Sequence, residues 1–135
     1  MFFVDSDRWD SRLYGRISQR IGGEVDVIFL GMECSGAPLT WLYDPLPNMP
    51  ISRRNDESRR LSAANAERTW SVLASIHARR VSVYAMGQEP WLKYIMDLHY
   101  PSDAIPLKEV TKFLERCSAY GIAGTKLEGS RDIFV

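Results

Sequence analysis

The fold class that the sequence predicts is α/β, and three observations carry it. Three short apolar runs rich in β-branched and aromatic residues, Phe2–Asp5, Val25–Leu30 and Val81–Ala85, read as buried strands. The segments between them place apolar residues at helical spacing. The order alternates strand and helix, and 135 residues suit a single domain over 1–135 with a respectable core.

The elements follow in order. Phe2–Asp5 is the first strand. Asp7 offers an N-cap to the next helix, with Asp10 three residues on, where a capping-box acid sits. Trp9, Leu13, Ile17 and Ile21 form its apolar stripe, and Gly22-Gly23 ends it in a left-handed cap. VDVIFL (25–30) is apolar almost throughout, as in a strand covered on both faces of a parallel sheet. Pro38, Pro45, Pro47 and Pro50, with Gly31 and Gly36, mark a long loop, and such a loop is usually functional or mobile. Its piece LTWLY (39–43) is apolar and packs on the domain or on a partner.

Ser62 is the expected cap of a second helix, with Ala66, Trp70, Leu73 and Ile76 or His77 on its stripe. VSVYA (81–85) is the third strand, and Glu89-Pro90-Trp91 opens a short helix toward Leu98. Pro106 fits the first turn of a further helix. Val110, Phe113, Leu114 and Cys117 give that helix its buried face, and Gly121 stops it. Ile122–Leu127 and Asp132–Val135 are expected to close a hairpin around Glu128-Gly129.

Bulk properties exclude several functions. Seventeen basic and seventeen acidic residues cancel, so no whole-chain field attracts nucleic acid or an anionic membrane. The pairs Arg53-Arg54 and Arg59-Arg60 flank Asp56 and Glu57; they read as a solvated loop first and as a phosphate site second. No apolar run reaches the roughly 18 residues of a membrane span. No basic stretch followed by an apolar one marks an export signal, so a cytoplasmic protein is expected. Cys34 and Cys117 lack CxxC spacing and read as reduced thiols.

The sequence carries no phosphate-binding glycine loop, no GxSxG, no HExxH and no zinc-type cysteine pair. His77 suits a helix C-terminus, and His99 in LHYPSD follows a short helix. Cys34 in GMECSG follows a buried strand, where α/β proteins place functional groups, yet Glu33 beside it would raise rather than lower its pKa. Asp5 is the strongest single candidate. It ends a buried strand, where a carboxylate must be paired, cap a helix or bind a cation.

FFVDSDRWDSRLYGRISQRIGGEVDVIFLG resembles the stretch of metallo-β-lactamase-fold proteins that runs from the metal-bridging aspartate into the next strand. LSAANAERTW and VSVYAMGQEPW sit where that family has a small-residue helix and then a strand ending in a ligand histidine. The likeness is nearest to the branch containing the N-acyl-phosphatidylethanolamine phospholipase D. It implies a half of an αββα sandwich, a mixed sheet flanked by helices. It implies Asp5 as bridging ligand. The terminal histidine position falls at about Ala85, so Glu89, or failing that Glu33, would supply a carboxylate in its place. Such an exchange favours iron or manganese over zinc.

The family's HxHxDH signature does not occur in this sequence. The resemblance therefore implies the C-terminal half of the fold, inactive alone and binding divalent metal only weakly. Its expected partner is a protein carrying the N-terminal half, or a second copy of itself. The completed protein would be a metal-dependent hydrolase or a dinuclear-metal oxygenase. The competing readings are a non-catalytic interaction protein and an α/β domain that binds a small molecule through its long loop.

Overall fold

The computed structural model describes residues 1–4, 10–32, 48–58, 64–85, 94 and 101–129. Within them the order is β1 (Phe2–Val4), α1 (Ser11–Ile21), β2 (Glu24–Gly31), α2 (Arg53–Ser58), α3 (Ala66–Ser75), β3 (His77–Tyr84), α4 (Ile105–Ala119) and β4 (Ala123–Lys126). The three expected strands are present, and β2 and β3 each extend beyond the apolar run that announced them.

The four strands form one sheet in the order β1-β2-β3-β4, and every neighbouring pair is parallel. A mixed sheet was expected; the described strands make a parallel one. The expected tail hairpin is not its source of closure, because β4 pairs with β3 in parallel, and Asp132–Val135 lie outside the described residues. Each parallel step needs a crossover, and right-handed crossovers that advance in one direction leave their helices on one face. The core shows this arrangement. Val4, Ile28, Leu30, Val81 and Val83, which share one face by register, cluster with Tyr14, Val72, Phe113 and Cys117 of α1, α3 and α4. On the opposite face Phe3 stacks on its register partner Phe29 with ring centroids 4.4 Å apart.

β2 is as deeply covered as its composition implies, with Val27, Ile28 and Leu30 fully buried. α1 departs from its expected face. Tyr14 is buried and Ile17 packs on the core, whereas Leu13 and Ile21 are exposed. A strict four-residue row turns by about 40° at each step of a 3.6-residue helix, so it spirals off any one face. The cap also moves: Asp10, not an earlier residue, is the N-cap, and its carboxylate accepts from the Arg12 amide at 2.9 Å. Gly22 ends the helix as expected, at φ 88°, with its amide donating to the Ser18 carbonyl.

The N-cap of α3 is Asn65, whose side chain accepts from the Arg68 amide at 2.9 Å; Ser62 lies outside the described residues. His77 lies directly after Ile76, the C-cap of α3, near a helix C-terminus as expected. It opens β3, is exposed, and donates its backbone amide to the Gly23 carbonyl at 3.2 Å. α2 is a short helix within the region expected to be loop, and Arg53 and Arg54 both lie on it. α4 matches expectation: Pro106 in the first turn, Val110, Phe113 and Cys117 buried, and Gly121 at φ 72° just past its end.

Candidate functional site

Because all four strands run the same way, their carboxyl ends lie at one edge of the sheet. In open parallel sheets ligands bind in the crevice outside that edge. Val4 ends β1 there, Met32 follows β2, Ala85 follows β3 and Leu127 follows β4. The first three of these strand exits are joined through Tyr84. Its backbone carbonyl accepts from the Met32 amide at 3.1 Å. Its phenolic hydroxyl donates to the Val4 carbonyl at 3.3 Å, reaching past Gly31, the residue paired with it on the intervening strand. The fourth exit is tied separately, by the Leu127 amide donating to the Val83 carbonyl at 2.8 Å.

Ala85 turns the chain out of β3 with φ 54°. A left-handed conformation in a residue other than glycine carries a steric cost of about 1 kcal/mol or more. Such outliers gather at functional edges, and this one occupies the position that the family resemblance assigned to a ligand histidine. Alanine offers no donor atom to a metal.

Among the candidates from the sequence, Asp5, Glu33, Cys34, Glu89, Trp91 and His99 lie outside the described residues, as do Asp7, Leu39–Tyr43, Arg59 and Arg60. Asp5 and Glu33 directly follow Val4 and Met32 in the chain, and Glu89 comes four residues after Ala85. His77 stands at the amino end of β3, opposite to the edge in question. Arg53 and Arg54 are exposed on α2. Cys117 is fully buried in α4, and burial pushes its thiol up to about 11, which makes it an inert packing group.

Among the described residues no three His, Cys, Asp or Glu side chains gather into a group that could hold a metal. The donors that the sequence supplies shortly beyond the strand exits are the carboxylates Asp5, Glu33 and Glu89 and the thiol Cys34. The carboxylates suit a hard, oxygen-preferring divalent cation, whereas the thiol would suit a softer one.

Two residues that sequence reasoning passed over shape this half of the molecule. Tyr84 ties the strand exits, and Glu109 on α4 accepts from the Ala66 amide at the start of α3. Neither has a sequence signal, since each acts on a residue more than forty positions away.

No helix among the described residues is long and apolar enough to cross a membrane. No family model matches the chain. It is 38% identical over 100 residues to the 4-amino-L-phenylalanyl-[CmlP-peptidyl-carrier-protein] 3-hydroxylase of Streptomyces venezuelae, a match covering 74% of this chain and 19% of that protein. The crystal structure of CmlA, a diiron β-hydroxylase from Streptomyces venezuelae, superposes with a TM-score of 0.63 at 32% identity, over 86% of this chain and 22% of that one. A point mutant of the CmlA β-hydroxylase also gives a TM-score of 0.63, at 31% identity, over 94% of this chain and 23% of its own. The chain is thus homologous to part of a diiron β-hydroxylase and spans about a fifth of its length. These relatives are hydroxylases, and hydrolytic chemistry finds no support among them.

Proposed function

We propose that this chain carries the bridging-carboxylate part of a metallo-β-lactamase-type, dinuclear-iron oxygenase fold, with Asp5 and Glu89 as its own metal ligands. The observation that supports the reading is the match to part of a diiron β-hydroxylase, at 38% identity in sequence and a TM-score of 0.63 in structure. When bound, the metal pair would supply the oxidising chemistry. The chain's part is to hold the cation at the carboxyl edge of the sheet through carboxylate oxygens. The relative's aminoacyl substrate on a carrier protein is a further extension of the same reading. It would need the ligands and the substrate surface of a longer chain or a partner, one supplying the missing half or a second copy.

One or two carboxylates cannot replace a full ligand set, so binding by this chain alone is weak. Titration of the purified chain with Mn(II), Fe(II) and Zn(II) tests this. The expected result is weak, saturable binding, tighter for manganese and iron than for zinc, and lost in Asp5→Asn. No saturable binding, or binding unaffected by that substitution, overturns the assignment. Tightly held stoichiometric metal with a chelator-sensitive melting point would instead show a working site within this chain. A second reading is a non-catalytic binding protein, because alanine stands at about the position that the resemblance assigns to a ligand histidine.

A further inference from the structure

We propose that α1 docks against an acidic helix of a partner protein, with Arg12, Arg16 and Arg20 as the row that meets its carboxylates. The three arginines stand four residues apart on α1, and all are exposed. The helix carries no acidic residue of its own, and no salt bridge among the described residues engages any of the three. Elsewhere Arg79 lies against Glu24 and Asp26, and Lys112 and Arg116 lie against Glu67. The electrostatics of α1 itself oppose the row. Like charges four residues apart repel, and Arg12 sits in the first turn, at the positive end of the helix. Carboxylates supplied from outside offset both effects.

The shape beside the row points to a helix as the occupant. Arg12, Gly15, Arg16 and Gln19 stand at i, i+3, i+4 and i+7, the four positions that surround a hole on a helix surface. A β-carbon on Gly15 would meet nothing within 4 Å, so packing within the described fold does not call for glycine there. Glycine inside a helix also lowers its stability. The gap admits a side chain from a facing helix. On the other flank Leu13 is 44% exposed and offers an apolar contact at the rim of the row. Other polyanions fit less well. An anionic membrane takes up a helix by its apolar face, and here Tyr14 is buried and Ile17 packs on the core. The row spans about 12 Å. Three charges are too few for a firm hold on nucleic acid by a chain of zero net charge.

The test titrates the full chain with a synthetic helical peptide that carries glutamates four residues apart and leucines beside them, followed by backbone amide signals. A peptide of the same composition with no two glutamates four apart is the control. The amides of α1 should shift saturably with the first peptide and much less with the second. The affinity should fall about tenfold in the triple variant Arg12→Gln, Arg16→Gln, Arg20→Gln. It should fall as well in Gly15→Leu, which keeps every charge and fills the hole. The triple variant should melt no lower than the wild type; a lower melting point would show that the row serves the chain's own fold and overturns the proposal. No saturable shift, an equal response to the control peptide, or unchanged affinity in either variant overturns it too. Tighter binding to phosphatidylglycerol vesicles or to duplex DNA than to the peptide overturns it in favour of that occupant.

Discussion

The Glu109 carboxylate accepts a hydrogen bond from the Ala66 backbone amide at 2.8 Å, although 43 residues separate the two. Ala66 is the first residue of α3, whose first-turn amides have no partner within the helix. Asn65 satisfies the amide of Arg68, and Glu109 satisfies that of Ala66 from the neighbouring helix. A carboxylate at the positive end of a helix adds a favourable charge–dipole contact. Glu109→Ala should therefore cost about 1–2 kcal/mol in urea unfolding. Glu109→Gln should recover part of that loss. A change below about 0.3 kcal/mol in the alanine variant would show that solvent replaces the carboxylate at no cost.

Thr69 sits on the same helix with its side chain fully buried, and its hydroxyl finds no hydrogen-bond partner among the described residues. An unpaired buried hydroxyl carries a desolvation penalty, and valine has nearly the same shape without it. Thr69→Val should raise stability by about 1 kcal/mol. A rise in melting temperature with an unchanged dependence on urea concentration would confirm the effect. A fall would mean that the hydroxyl has a partner in solution.

Cys117 ties stability to alkali. Burial raises its thiol from the ordinary value of about 8.5 to about 11 in the fold. A raised folded value means that the native state holds the proton more tightly than the unfolded one. The contribution is complete below about pH 8.5 and is lost as pH rises toward 11. Wild-type stability should decline over this window more steeply than that of Cys117→Ala, which will be less stable at every pH because it leaves a cavity. The native thiol should also resist alkylation at pH 8 and react freely in denaturant.

Gly124 lets α4 sit close to β4. A β-carbon there would meet the Leu114 Cδ2 methyl at 2.7 Å and the Cys117 β-carbon at 3.8 Å. The nearer atom is the end of a flexible side chain, so Gly124→Ala should be tolerated with a loss below about 1.5 kcal/mol. Gly124→Val cannot be absorbed by a Leu114 rotamer alone and should cost about 2–3 kcal/mol. Equal melting points for the two variants would show that α4 is free to lift from the sheet.

The α/β class, the three first strands and the body of α4 were legible in the sequence, because each depends on a property of a short segment. VDVIFL is apolar at every second and almost every first position, so burial on both faces follows whichever neighbours it finds. Gly22 and Gly121 stop their helices because the left-handed cap is a local need. Periodicity located the helix of Ser11–Ile21 but not its buried side. Tyr14 rather than Leu13 faces the core because the row drifts around the cylinder, and the sheet selects the residues that meet it.

What the tertiary structure decided are the relations between distant segments. The parallel order β1-β2-β3-β4, the capping of Ala66 by Glu109 and the reach of Tyr84 to Val4 each join residues tens of positions apart. No local propensity encodes such pairs, since register and approach arise only when several elements pack at once. The candidate site divides in the same way. The sequence by itself supplied acidic residues directly after apolar strands, which is a matter of chemistry and position along the chain. That those strands end at a common edge, tied together by one tyrosine, was decided by the parallel sheet, because only its pairing turns separate strand ends into neighbours.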